Sequence, residues 1–71
     1  MSFEAYISNI HAKTGKMPED FHAIAAEKGL TGPHIKATQI VNWLKADFGL
    51  GHGHAQAIWA VFKRSGWVGG P

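Results

Sequence analysis

Residues 37–64 read ATQIVNWLKADFGLGHGHAQAIWAVFKR, and the glycines at the centre of this stretch decide how the chain folds. Before them Ala37, Ile40, Val41, Leu44 and Phe48 recur at helical spacing, with Trp43 beside them. Such a pattern is one face of an α-helix. After them Ala55, Ile58, Trp59 and Phe62 mark a second helical face, which ends at Lys63, Arg64 and Gly66. Basic residues in a last turn suit the negative end of the helix dipole. The reading is helix, glycine hinge, helix.

Working outward from this pair, the N-terminal stretch places Phe3, Tyr6, Ile7 and Ile10 at i, i+3, i+4 and i+7. Ser2 can cap its start, Glu4 suits the first turn, and Gly15 suits the left-handed residue that closes a helix. The spacing predicts a helix over about residues 2–14. Met17-Pro18-Glu19-Asp20 is a second start signal, because proline in a first turn sacrifices no useful hydrogen bond and two acids follow it. Phe21, Ile24, Ala25 and Lys28 continue that helix to Gly29. Leu30 to His34 is a linker whose Gly32-Pro33 pair stops helix continuation. Trp67 to Pro71 reads as a short tail, with Trp67 able to fold back onto the core. No stretch alternates with period two, so no sheet is expected. The fold class is all-α: four short helices packed as two helix-hairpin units, a single four-helix domain over 1–66 and a short C-terminal tail over 67–71. Helices this short need mutual packing to persist.

Shifting the chain by 34 positions brings Ala12 onto Ala46, Gly15 onto Gly49, Ala23 onto Ala57, Ile24 onto Ile58 and Ala26 onto Ala60. Ile10 meets Leu44. An internal pseudo-duplication is one reading. The other is that any two helical hairpins share alanine, isoleucine and a hinge glycine.

Composition bounds the function. A chain of 71 residues hides only roughly 60% of the surface its unfolded form exposes. With no cysteine there is no disulfide, thiolate zinc site or thiol nucleophile. Hydrophobic residues at 45% and charged ones at 17% are globular proportions. No apolar run approaches the roughly 20 residues that cross a bilayer, and Met1 to Ala5 lacks the features of a signal peptide. A cytoplasmic domain without a membrane role is expected. The net charge of +2 is mildly basic.

The segment Phe48 to Ile58 carries the skeleton Gly49-Leu50-Gly51, three residues, Ala55, two residues, Ile58. Residues 40–62 thereby resemble the helix-hairpin-helix motif of DNA-binding and DNA-repair proteins. The resemblance implies that Gly49, Leu50 and Gly51 form the hairpin, that Ala55 makes the close helix contact and that Ile58 is a core position. It also implies that amides at the start of the second helix bind a phosphate, which is anion binding at a helix N-terminus. Phe48 replaces the proline often found before the first hairpin glycine. His52, Gly53 and His54 stand where the second helix begins. A protonated His54 would be opposed by the dipole yet attract an anion. Lys45, Lys63 and Arg64 are close in sequence and are expected to add unspecific phosphate contacts.

The whole chain also resembles a small bacterial family of uncharacterised helical domains. The resemblance rests on Phe3 to Tyr6, Ala12-Lys13-Thr14-Gly15, Pro18-Glu19-Asp20-Phe21, Ile40 to Lys45, Asp47-Phe48-Gly49-Leu50-Gly51 and Gly53-His54-Ala55. It implies a stand-alone helical domain and transfers no activity.

Five histidines invite a metal reading, but His52 and His54 lie about 200° apart on a helix. A site would need a third ligand such as His11, His22 or Asp47, and no metal or other cofactor is expected. Glu19 and Asp20 are explained by a first turn, Gly15-Lys16 lacks the frame of a P-loop, and no hydroxyl has an activating partner. An enzyme is not expected. Trp43, off the Ile40–Leu44 stripe, is the candidate interface anchor. Alanines on the second and fourth helices permit close helix approach. Two partner classes follow: the DNA or RNA backbone at the glycine turn, or a protein partner or second copy of the chain with no nucleic-acid role.

Overall fold

Residues 3–32 and 34–68 are described by a computed structural model. They form α1 (Phe3–Thr14), α2 (Pro18–Glu27), α3 (Ala37–Phe48) and α4 (His52–Arg64), and no strand occurs among the described residues. The fold is all-α, as the periodicities predict. The Ser2 cap, Pro33 of the linker and residues 69–71 of the tail lie outside the described residues.

The helices end where glycine allows it. Gly15, Gly29, Gly49 and Gly66 have positive φ, and no other described residue does. At Gly66 the consequence reaches the core. With φ of 70° there, the Trp67 N–H donates to the Phe62 carbonyl at 2.9 Å. This six-to-one bond is the Schellman closure, which brings the apolar residue after the glycine onto the last helical turn. The Trp67 and Phe62 ring centroids are 5.9 Å apart, and Trp67 also stacks on His22 at 4.7 Å. Val68 is 4% exposed and belongs to the core. The expected boundary at residue 66 is therefore corrected: the packed unit runs through Val68, because the closure that ends α4 also folds the following chain inward.

Phe21, Phe62, Ile10, Ile40, Leu44 and Ile58 are the largest fully buried side chains. All six lie on the helical faces read from the sequence. Helix α4 is central, packing most extensively against α3, then α1 and then α2. Ala55 and Ala57 are buried on it, so small side chains admit neighbours closely. Of the α2 alanines only Ala25 is buried, whereas Ala23 and Ala26 are exposed. Helices α1 and α2 rest chiefly on α4 rather than on each other.

Candidate functional site

The turn between α3 and α4 is shaped by one residue that enters the core and two glycines that stay outside. Gly49 caps α3 with φ of 64°, in the left-handed region. Leu50, only 4% exposed, is held in the core, and its N–H donates to the Leu44 carbonyl at 3.4 Å. Gly51 is the extended residue that starts α4, and its carbonyl accepts the Ala55 N–H at 2.9 Å. The first-turn amides of a helix have no carbonyl within the helix to bond. At α4 no side chain caps them, and no acid lies in the first turn.

The other helix starts that are described differ. At α2 the Asp20 carboxylate accepts the Met17 N–H at 2.9 Å, and Glu19 adds a second negative charge. At α3 the Gln39 side-chain oxygen accepts the Lys36 N–H at 2.8 Å. Of these three starts only that of α4 has neither an acid in its first turn nor a side chain bonded back to the residue before the helix.

Two residues not singled out in the sequence converge on this start. The Lys13 ammonium, from α1, donates to the Gly49 carbonyl at 2.9 Å. Tyr6, two turns earlier on α1, lies against Gly53, and a Cβ there would stand 3.2 Å from the tyrosine hydroxyl. Gly53 is thus small because α1 passes close to α4. The Tyr6 ring meets the His54 ring edge-on at 4.9 Å, closing one side of the helix start. His52 is exposed on the other side, where Gln56 Nε2 donates to its Nε2 at 3.2 Å. Tyr6, Ile10 and Lys13 follow helical spacing, so their common face was legible. Its destination against α4 was not, since the partner lies some forty residues away.

Lys45 lies in the last turn of α3 and is exposed, within reach of the turn's surroundings. Lys63 and Arg64 are not. They end α4, twelve or more residues beyond Gly51 and so roughly 18 Å along the axis. There Lys63 Nζ lies 5.8 Å from the Trp59 ring centroid and the Arg64 guanidinium 5.4 Å from that of Phe3. Their expected part in the turn is corrected by the length of the helix itself.

The expectation for Trp43 is corrected as well. Trp43 is 9% exposed and meets the Phe48 ring edge-on at 5.5 Å. A position three after Ile40 still falls on the broad apolar stripe of a core-facing helix. Its Nε1 is buried with no hydrogen-bond partner, an arrangement that costs about 1–3 kcal/mol. His52 and His54 diverge toward Gln56 and Tyr6. No group of three His, Asp or Glu among the described residues could hold a metal ion.

The exposed apolar surface lies elsewhere. A groove of ≈ 620 Å3 runs between α1, the start of α2, the last turns of α4 and Trp67. Phe3, Ile7, Met17, Pro18, Val61 and Trp67 supply its apolar lining.

No curated protein and no solved structure matches the chain significantly. A family model described as a domain of unknown function matches residues 2–64, which takes in all four helices, and the chain belongs to that family, DUF4287.

Proposed function

We propose that the domain is a non-catalytic binding module that takes a nucleic-acid phosphate at the start of α4. The observation that carries this reading is a helix start with neither cap nor acid, with Lys13 bonded to the turn and Lys45 one turn before it. Unpaired amides and the positive end of the dipole favour an anion there. Glycines at 49 and 51 keep the backbone approachable, in the manner of the helix-hairpin-helix motif that residues 40–62 resemble, whereas Gly53 makes room for Tyr6. Tyr6 and His54 close one side, so the phosphate approaches past Gly51 and His52. Contacts of this kind read the backbone and not the bases. A net charge of +2 gives weak, salt-sensitive binding by one copy, and several copies on one strand would act together. The reading places the domain in the cytoplasm.

Titrating labelled duplex and single-stranded DNA against the protein across a salt series tests this. Lys45→Gln is expected to weaken binding to every sequence alike and to lower the salt slope by about 1. Lys63→Gln/Arg64→Gln, beyond the roughly 10 Å screening distance at 0.1 M salt, is expected to change it much less. Binding absent at low salt, or as sensitive to the far pair as to Lys45, removes the proposal.

The apolar groove favours a second reading, a protein-interaction domain. It uses different residues and stands or falls separately.

A further inference from the structure

The groove between α1, α2 and α4 has a charge pattern opposite to that of the chain. Its charged lining residues are Glu4 and Glu19, and no lysine or arginine lines it, although the chain as a whole carries +2. Arg64 lies in the adjoining recess, with its guanidinium over the Phe3 ring. Each acid also suits the first turn of its helix. That role explains the two charges but not the apolar surface left open between them. Met17, 38% exposed, is the most exposed large hydrophobic residue described. A flexible thioether is well suited to a surface that must adapt to what it binds. The wall formed by Phe3 to His11 on α1 is about 12 Å long. It matches two turns of a helix or about four residues of extended chain.

We infer that this groove docks a short apolar segment of a partner polypeptide, one that carries lysine or arginine beside its apolar residues. The inference rests on the protein-interaction reading and adds the chemistry of the partner. Apolar side chains of the segment lie on Ile7, Met17, Val61 and Trp67, and its cations meet Glu4 and Glu19 at the rim. Such rim charges select a partner more than they tighten it.

The full chain, labelled with 15N, is titrated with two synthetic amphipathic peptides that share their leucines. One carries lysine at every polar position and the other glutamate. The lysine peptide is expected to move the amide signals of Ile7, Ser8, Val61 and Trp67, and the glutamate peptide to leave them in place. Ser8 is exposed and lines the groove, so Ser8→Lys adds a cation to the wall without touching the core. It is expected to weaken the lysine peptide about fivefold, and Glu19→Gln to act in the same direction. Equal binding of both peptides, or indifference to both variants, overturns the proposed chemistry and leaves the protein-interaction reading in place. Groove signals that move with protein concentration alone do the same, since a second copy is then the occupant. Signals that respond to neither peptide nor concentration overturn both.

Discussion

The turn from α1 into α2 and the turn from α3 into α4 share a backbone and differ in chemistry. Gly15 and Gly49 have φ of 73° and 64°. The 34-position shift carries Phe3–Thr14 onto Ala37–Phe48 and Pro18 onto His52, the first residues of α2 and α4. In the first turn side chains take up the N–H groups of Lys16 and Met17. Thr14 Oγ1 donates to the Ile10 carbonyl at 2.8 Å and accepts the Lys16 N–H at 3.1 Å. Asp20 accepts the Met17 N–H, and Pro18 has no N–H to offer. In the second turn Phe48, Leu50 and the glycines bring no polar side chain, and the nearby charges are the cations of Lys13 and Lys45 and the exposed carboxylate of Asp47. Left-handed glycine makes the reversal in both places. The residues around it decide whether side chains bond the joint to itself, as Thr14 and Asp20 do, or leave it without such bonds.

The halves also differ in bulk at matched positions. Phe21 and Ala55, related by the same shift, are both 0% exposed. The large ring on α2 fills space, meeting Phe48 edge-on at 4.9 Å, whereas the small residue on α4 lets neighbours close in. This is one physical reason why α4 is central and α2 peripheral. Phe21→Ala is the most damaging change expected, at about 3–5 kcal/mol, near the whole stability of so small a domain. Urea unfolding followed by circular dichroism should show a protein largely unfolded in water. Ala55→Leu is expected to lose about 1–3 kcal/mol by overcrowding. If it is instead neutral, α4 is not held by close approach and the contrast between the halves fails.

The two glycines should respond alike. A Cβ at Gly15 or Gly49 would meet nothing within 4 Å, so the whole penalty for alanine is the left-handed backbone, about 1–2 kcal/mol at each. Gly15→Ala and Gly49→Ala are therefore predicted to shift the urea midpoint by similar amounts. A much larger loss at Gly49 would mean that the second turn differs in its folding role as well as in its side chains.

Local rules made most of the architecture readable. Pro18 with two acids, the positive-φ glycines and the apolar stripes are effects of a few neighbouring residues, and the helix bounds follow from them. What was not readable depends on where distant elements meet. Lys13 and Tyr6 reach the second turn only because α1 lies across α4. Trp43 was misjudged because an apolar face is broader than a single stripe, and Lys63 and Arg64 because nearness in sequence along a helix becomes distance in space. Of the proposed site, then, the glycine framework, Lys45, His52 and His54 could be named from the sequence, while Lys13 and Tyr6 could not.

The finest test makes the second turn resemble the first. Gly51 has φ of −69°, which any residue adopts, and a Cβ there would come no nearer than 3.6 Å to His54 Nδ1. Gly51→Asp should therefore be accommodated without strain and place a carboxylate at the start of α4. As a cap, aspartate exceeds glycine by only a few tenths of a kcal/mol, so the urea midpoint should rise slightly. Its effect on an anion is far larger, because the new carboxylate both occupies the first-turn amides and repels phosphate. The variant is expected to be folded, marginally more stable than the parent and unable to bind DNA at low salt. Stability and binding then move in opposite directions, which simple unfolding cannot produce. DNA binding that survives in this variant would place the contact somewhere other than the start of α4, and the difference between the two turns would be structural alone.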